Sequence, residues 1–152
     1  MFSRVKILLL LLVLLIIDAP LLTENKTVCG YELKGTVTAV SKAGGKIIFR
    51  VGIADRPERY LKGLQNCMTM APDHGLLFIL PSKKKYSFWM KDTYLPISVI
   101  YIDDSFRIVT IKKGTPLSTT SMRSPVPVKY VLEVLTHEAE KIDASKRVKI
   151  DL

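Results

Sequence analysis

The chain has 152 residues, of which 48% are hydrophobic and 24% charged, and its formal net charge is +9 at pH 7. This length suits one ordinary domain, and the apolar content excludes a disordered chain. Two cysteines are too few for a disulfide-dense scaffold, and the two histidines and two cysteines lie at no metal-ligand spacing. We therefore predict one globular domain with no metal site and no cofactor.

The first 22 residues are predicted to be a signal peptide or a short membrane anchor. Arg4 and Lys6 precede the uninterrupted apolar run Ile7–Ile17, which Asp18 and Pro20 end. As a helix this run rises about 16 Å, roughly half the thickness of the hydrocarbon core of a bilayer. The pattern is typical of an export signal. It predicts a periplasmic or extracellular domain and leaves open whether the leader is cleaved or retained as an anchor.

Residues 23–35 are mostly polar and contain two glycines, and we predict that they form a linker to a domain at 36–152. Cys29 in this linker and Cys67 in the domain can form a disulfide in an oxidising compartment. The chain-entropy model values such a closed loop at about 4 kcal/mol. Two separate buried thiols are the alternative, and the spacing does not decide between them.

Short apolar stretches alternate with turn signals from Thr36 onward, a pattern typical of antiparallel β structure. Lys46–Ile53 has the clearest alternation of period two. The segments 43–45 and 103–105 predict two hairpin turns. The other predicted strands are Thr36–Val40, Leu76–Leu80, Tyr86–Met90, Ile97–Ile102, Arg107–Ile111, Lys129–Leu135 and Arg147–Ile150.

Two short helices are predicted between these strands. Asp55 and Glu58 fit an Asp-x-x-Glu capping box with Pro57 in the first turn, and the second helix is Thr136–Ala144. The absence of long helices between strands argues against a doubly wound parallel sheet. The predicted fold is therefore mainly β: a single antiparallel β-barrel or sandwich-like domain with one or two short helices.

The basic residues gather in three short clusters, at 83–85, 112–113 and 146–149. No stacking aromatic residues interleave with them, so nucleic acid is not a predicted partner. Outside the cytoplasm, an anionic membrane surface or an acidic envelope polymer would attract such clusters. Solvated loop tips are the simpler interpretation.

A tryptophan followed by polar residues gives the main candidate site. Neighbouring side chains of a strand point to opposite faces, so Phe88 and Trp89 share one core only if the strand is buried on both faces. Otherwise Trp89 lines a cleft, Lys91 fixes an anionic or hydroxylated ligand, and a ring or sugar face of that ligand rests on the indole. The predicted ligand is a small molecule or an envelope-derived polymer. The candidate ligand-binding residues are Trp89, Lys91, Asp92, Thr93 and Ser124.

A hydrolase is the alternative function. The sequence has no Gly-x-Ser-x-Gly elbow, His-Glu-x-x-His motif, phosphate loop or dinucleotide fingerprint. A serine or cysteine could still meet a histidine in space, so no catalytic residue is assigned. The candidate nucleophiles are Ser98, Ser124 and Cys67, and the candidate bases are His74 and His137.

Several longer segments resemble a family known as domain of unknown function 192, and the similarity covers about residues 46–151. The segment 88–93 is similar to the family's Phe-Trp-Met-Lys-Asn-Thr, with Asp92 in place of the asparagine. The resemblance implies a mainly β domain, often exported, and brings no established activity. The remaining segments that carry it are 54–59 with 62–64, Gly75–Phe78, 95–97, and Tyr130–Glu133 together with Ser124.

Overall fold

The computed structural model describes residues 26–152 and shows a mainly β domain with two short helices, as predicted. The predicted leader, residues 1–22, and residues 23–25 of the predicted linker lie outside this range. The helices are α1 (Pro57–Lys62) and α2 (Thr136–Ala139). The strands are β1 (Thr27–Val28), β2 (Tyr31–Val40), β3 (Lys46–Ala54), β4 (His74–Lys84), β5 (Ser87–Phe88), β6 (Ile97–Ile102), β7 (Ile108–Lys113), β8 (Met122–Arg123), β9 (Val128–Leu135) and β10 (Lys149–Asp151).

Eight of the described strands form one sheet in the order β1-β2-β3-β4-β9-β6-β7, with β10 also paired to β2. This main sheet does not close on itself, so the sandwich-like prediction is confirmed and the barrel is not. β5 and β8 form a separate two-stranded sheet. Within residues 26–152 the strand pairs are antiparallel except β3 with β4, which are parallel. A parallel pair needs a crossover, and here α1 and the loop after it carry the chain back to the start of β4.

The two predicted hairpins are confirmed. β2 joins β3 through a turn in which the Ser41 N–H donates to the Gly45 carbonyl at 2.7 Å. β6 joins β7 through a turn held by the Asp103 carboxylate, which accepts the N–H groups of Ser105 at 2.8 Å and Arg107 at 3.0 Å. A carboxylate that bonds its own turn is common at such positions.

Several predicted boundaries are wrong, because tertiary contacts decide them. β2 begins at Tyr31, so part of the predicted linker already lies in the sheet. The strand predicted at Tyr86–Met90 covers only Ser87–Phe88, since the Met90 N–H donates to the carbonyl of Ser118 in a loop, at 2.9 Å. The second helix ends at Ala139 rather than at Ala144.

The predicted capping box is also wrong. Helix α1 begins at Pro57 with Arg56 as its N-cap, and no side chain caps it. Asp55 instead forms an ion pair with Arg59, with 3.7 Å between Oδ1 and Nη1. None of the helices in residues 26–152 is long and apolar enough to cross a membrane.

Both faces of the main sheet are buried, so consecutive residues of its central strands enter two different apolar clusters. The first face holds Leu76, Phe78, Val99, Tyr101, Val131 and Leu135. The second face holds Leu77, Ile100, Ile102, Leu132 and Val134, and is covered by Ala139, Ile142 and Val148. The cover of the first face is irregular and includes Tyr60, Phe88 and Met122. Burial on both faces explains why these strands read as continuous apolar runs.

The glycine at the start of the Gly75–Phe78 segment allows β9 to pack closely on β4. Gly75 pairs with Val134 across these strands. A Cβ at position 75 would lie 2.9 Å from the carbonyl oxygen of Glu133 and 2.9 Å from Cγ1 of Val134, which is too close for an ordinary contact. Glycine at this position therefore allows the backbone of Glu133 to lie close to β4.

Cys29 and Cys67 are joined by a disulfide with their Cα atoms 5.3 Å apart. The bond ties the turn between β1 and β2 to the loop that follows α1. It closes a loop with a sequence separation of 38 residues. A loop of this length restricts the unfolded chain substantially in the chain-entropy model.

We expect the double variant Cys29→Ser/Cys67→Ser to lower the free energy of unfolding by about 3 to 4 kcal/mol, because the unfolded chain is no longer constrained. Urea denaturation of both proteins, with and without dithiothreitol, measures this difference. The reductant should destabilise only the wild type. Equal stability of the two proteins under oxidising conditions would contradict a stabilising role for the bond.

Candidate functional site

A small cleft, called here the Trp89 cleft, opens on the first face of the main sheet. It lies between the end of α1 and the segment that follows β5, and it encloses about 40 Å³. A water molecule occupies about 30 Å³ in the liquid, so the enclosed part admits one small polar group. The lining residues that matter for its chemistry are Lys62, Gly63, Trp89, Lys91, Thr93 and Glu133.

Gly63 ends α1 and leaves the path to the bottom of the cleft open. Its φ of +48° lies in the region that favours glycine. The Tyr31 hydroxyl donates to the Gly63 carbonyl at 3.1 Å and holds this end of the helix in place. A Cβ at position 63 would lie 3.6 Å from Cζ of Phe78 and 4.0 Å from Oε2 of Glu133. The missing side chain therefore leaves space directly beside the Glu133 carboxyl.

Trp89 lies at the mouth of the cleft and is 51% exposed. Lys91 places its Nζ 5.6 Å from the centroid of the indole ring, within reach of a cation–π interaction. Phe88 instead turns into the core, where its ring meets Phe78 edge to face with 4.9 Å between centroids. The two neighbours thus separate as alternation requires, with the phenyl ring packed and the indole on the surface.

Asp92 and Thr93 form a turn beside the cleft, and only Thr93 lines it. Asp92 is exposed with a φ of +54°, a conformation that aspartate and asparagine adopt more readily than most residues. The asparagine of the similar family motif would suit the same backbone. The Thr93 N–H donates to the carbonyl of Met90 at 3.1 Å, and its hydroxyl donates to the carbonyl of Lys91 at 3.2 Å. These bonds fix the direction of the segment that carries Trp89 and Lys91.

Ser124 is buried and does not line the Trp89 cleft. Its Oγ accepts the N–H of Tyr86 at 3.1 Å, and its own N–H donates to the carbonyl of Tyr86 at 2.9 Å. These bonds anchor the two-stranded sheet of β5 and β8. Ser124 therefore positions the segment before Trp89 rather than offering a hydroxyl to a ligand.

Glu133 is the residue of the cleft to which sequence reasoning gave no role. It lies in β9 between Val131 and Leu135 of the first face, and its neighbours on the adjacent strands are Leu76 and Val99. The residue is only 6% exposed. Among residues 26–152 no hydrogen bond or ion pair reaches its carboxyl. A single charged residue inside the otherwise apolar run Tyr130–Leu135 was the signal in the sequence.

Burial raises the pKa of Glu133 to about 8, so the side chain is mostly a neutral acid at pH 7. Burial, and secondarily the charge of Glu133, also raise the pKa of Tyr31 and of Tyr101. Lys62 and Lys91 line the same cleft, but neither forms an ion pair with Glu133 in the described part of the chain. Lys62 directs its Nζ to the carbonyl of Cys29, so the cleft combines the ammonium group of Lys91 with an uncharged carboxylic acid.

Neither histidine is placed as a catalytic base in the described residues. His74 is buried at the start of β4, with Nε2 3.1 Å from Nη2 of Arg50. Burial lowers the pKa of His74. His137 is exposed, with Nε2 3.2 Å from Oε1 of Glu138.

The candidate nucleophiles are engaged elsewhere. Cys67 is in the disulfide, Ser98 donates its hydroxyl to Oγ1 of Thr136 at 3.2 Å, and Ser124 bonds Tyr86 as described above. Residues 26–152 therefore contain no hydrogen bond between a histidine and a serine or cysteine side chain. The hydrolase alternative has no supporting geometry in this part of the chain.

The basic clusters are partly neutralised by acidic side chains. Lys83 pairs with Asp104 at 2.8 Å, and Lys149 pairs with Asp151 at 2.7 Å. Lys113 pairs with Glu140. Each predicted cluster thus contributes at least one of its bases to an ion pair, which weakens the attraction of a membrane surface.

The comparisons with known proteins agree with the fold. The model of the family DUF192, described as "Uncharacterized ACR", matches residues 38–151, and the chain belongs to this family. A protein of Sinorhizobium meliloti 1021 assigned as a candidate transcription regulator has 30% sequence identity and a TM-score of 0.72, with 77% of this chain and 94% of that chain covered. A protein of unknown function from Novosphingobium aromaticivorans DSM 12444 has 24% identity and a TM-score of 0.70, covering 75% of this chain and 83% of its own. No curated protein matches the chain.

We expect the free energy of unfolding of the wild type to fall, relative to Glu133→Gln, as the pH rises from about 5 to about 9. The folded protein keeps the Glu133 proton up to a pKa of about 8, whereas the unfolded chain releases it near the ordinary value of 4.5. A raised carboxyl pKa stabilises the fold at low pH, and this contribution is lost as the pH rises through the folded-state pKa. Over this pH range the free energy of unfolding of the wild type should fall by a few kcal/mol relative to that of Glu133→Gln, on the order of magnitude that such a pKa shift implies. Urea denaturation across this pH range measures it, and parallel profiles of the two proteins would contradict a desolvated carboxyl.

Proposed function

We propose that the chain is an exported binding domain that holds a small polar or envelope-derived ligand at the Trp89 cleft and does not catalyse a reaction on it. One observation carries the proposal. A half-exposed indole and a lysine stand at the mouth of a cleft whose wall contains a largely buried carboxyl that no residue of 26–152 bonds. Apolar stacking surface beside a few convergent polar groups is typical of ligand sites.

The mouth of the cleft offers a flat apolar surface. Trp89 is 51% exposed, and Leu61, which lines the same cleft, is 78% exposed. An indole face suits the apolar face of a sugar or another ring. Because the enclosed part has only about 40 Å³, such a ring would rest outside and insert one substituent.

The segments that resemble the family motifs converge on this cleft. Gly63 comes from the first, Phe78 from the second, Trp89 from the third and Glu133 from the last, and all four line it. These positions are far apart in sequence and on different elements. Their convergence supports a shared binding site as the feature that the motifs encode.

Binding is favoured over catalysis by the composition of the cleft. Glycoside hydrolysis generally requires two carboxyl groups, one on each side of the scissile bond. Glu133 is the only carboxyl among the described residues that line the Trp89 cleft. A single neutral acid can hold a polar group by hydrogen bonding, but a second carboxyl that could act as nucleophile or base is missing from the described lining.

The regulator assignment of the Sinorhizobium protein is not extended to this chain. Proteins that read DNA commonly place a helix or a two-stranded ribbon in the major groove. The helices described here have six and four residues, and the basic clusters are partly paired with acids. A ligand-binding role accounts for the exposed indole and the largely buried carboxyl of the Trp89 cleft, and we therefore prefer it.

Export is supported by two independent features. The leader has basic residues followed by an apolar run, as export signals do. The domain contains the Cys29–Cys67 disulfide, and such bonds persist mainly in oxidising compartments. We therefore propose that the domain lies in the periplasm or outside the cell, with its leader either cleaved or retained as an anchor.

We expect Trp89→Ala to weaken sugar binding by at least about tenfold, because it removes the stacking surface. The probe is N-acetylmuramic acid, a sugar with a carboxylate. Trp89 is the only tryptophan of the chain, so intrinsic fluorescence of the wild type reports the cleft directly, and calorimetry compares the variants. Lys91→Ala should also weaken binding, whereas Lys85→Ala, an exposed lysine outside the cleft, should not.

The far-UV spectrum of Trp89→Ala decides how a loss of binding is interpreted. A folded variant that no longer binds supports the site. An unfolded variant would make Trp89 a packing residue, and undiminished binding by a folded variant would place the ligand elsewhere. Either result contradicts the proposal.

We expect the full chain, expressed in a bacterial host, to reach the periplasmic or membrane fraction with no free thiol. The control Leu11→Arg/Leu12→Arg interrupts the apolar run and should leave the chain in the cytosol with both cysteines reduced. Fractionation followed by thiol alkylation and mass spectrometry measures location, cleavage and oxidation together. An unprocessed wild-type chain in the soluble cytosolic fraction with two free thiols would contradict export.

A further inference from the structure

The Glu133 carboxyl lies on the wall of the Trp89 cleft and forms no hydrogen bond with the described residues. The residue is 6% exposed, and its oxygens are not fully buried, so a partner in the cleft can reach them. Here Leu76 and Val99 flank the residue across the sheet, and the missing Gly63 side chain leaves Oε2 beside the open cleft. A bound group that enters the cleft is the natural partner of this carboxyl.

The surrounding charges select the kind of group that can enter. Lys91 holds its ammonium group beside Trp89 at the mouth of the cleft, so a positively charged substituent would be repelled there. A negatively charged substituent would be attracted by the same ammonium group. A neutral carboxylic acid can donate its O–H to a carboxylate, and such charge-assisted bonds are among the strongest in proteins.

Other titratable groups around Glu133 keep their charge state near neutral pH. Tyr31 on β2, Tyr60 on α1 and Tyr101 on β6 all have a pKa raised by burial above the ordinary value of 10.0, so they stay neutral. The ammonium group at the mouth of the cleft is that of Lys91, whereas Lys62 directs its Nζ to the carbonyl of Cys29. Glu133 is thus the group whose protonation changes the cleft between pH 6 and pH 9.

We infer that the Trp89 cleft binds a carboxylate-bearing ligand, to which Glu133 donates a hydrogen bond as the neutral acid while Lys91 balances the negative charge. The ligand's ring rests on Trp89 outside, and its carboxylate enters the narrow part beside Gly63. This inference rests on the proposed function and names the ligand class of the same site. Ionised Glu133 would repel the carboxylate, so binding is lost when Glu133 loses its proton.

The experiment compares N-acetylmuramic acid with N-acetylglucosamine, which has the same ring without the carboxylate-bearing ether. Binding of each to the wild-type protein is followed by Trp89 fluorescence at pH 6.5 and pH 9. We expect N-acetylmuramic acid to bind more tightly at pH 6.5 and about tenfold more weakly at pH 9, since a group with a pKa of about 8 is then about one-tenth protonated. The affinity for N-acetylglucosamine should not depend on pH.

Two variants show whether Glu133 is responsible. Glu133→Gln keeps a hydrogen-bond donor that does not titrate, so it should bind N-acetylmuramic acid with equal affinity at both pH values. Glu133→Leu removes the donor and should lose the preference for the carboxylate. The lysines are the same in all three proteins, so any effect of their own titration appears in each.

The outcomes separate this inference from the proposed function. No fluorescence change with either sugar would overturn both. Binding of both sugars with equal affinity and no pH dependence would leave the proposed function standing and overturn the carboxylate inference. Wild-type binding of N-acetylmuramic acid that strengthens with pH, or a pH dependence that persists in Glu133→Gln, would also overturn it. If Glu133→Leu fails to fold, the Glu133→Gln profile still decides.

Discussion

The burial of the main sheet on both faces is the constraint on which the rest of the structure depends. Side chains alternate along a strand, so each central residue must enter one of two apolar clusters, and neither face is open to water. The second face is closed by the end of α2 and the chain after it, through Ala139, Ile142 and Val148. The first face is covered by α1, the loop after it and the short segments around β5 and β8. This uneven cover leaves a gap, the Trp89 cleft. Glu133, a polar residue on the otherwise apolar first face, lines this gap.

A small number of long-range contacts holds that cover in place. Cys29 is bonded to Cys67 after α1, and the Tyr31 hydroxyl donates to the carbonyl of Gly63 at the end of α1. On the other side of the cleft, Ser124 bonds the backbone of Tyr86 before β5. Each contact joins segments more than 30 residues apart, and each fixes one wall of the cleft. The disulfide therefore holds the loop after α1, which leads away from one wall of the cleft, as well as the start of the sheet.

The sequence was informative where structure is local. The alternation in Lys46–Ile53, the glycines near 44 and the apolar run Ile97–Ile102 predicted strands and hairpins that the structure contains. It was uninformative where partners are distant: nothing local shows that β3 and β4 are parallel, or that Asp55 pairs with Arg59 rather than capping α1. For the cleft, adjacency in sequence was enough to group Trp89, Lys91 and Thr93. Glu133 is about 40 positions further on, and its importance comes from burial, which depends on the whole sheet.

The protonation of Glu133 favours the proposed binding role over a catalytic one. A carboxyl that acts as a nucleophile or base must be ionised, and burial without a partner holds this one mostly in the acid form at neutral pH. A general acid could be neutral, but glycoside hydrolysis generally needs a second carboxyl, and Glu133 is the only one in the described lining of the cleft. A neutral acid near Lys91 is suited to hold an anion, since it adds a donor without adding negative charge. In the proposed site, the same burial that makes Glu133 costly for the fold at high pH would therefore serve recognition.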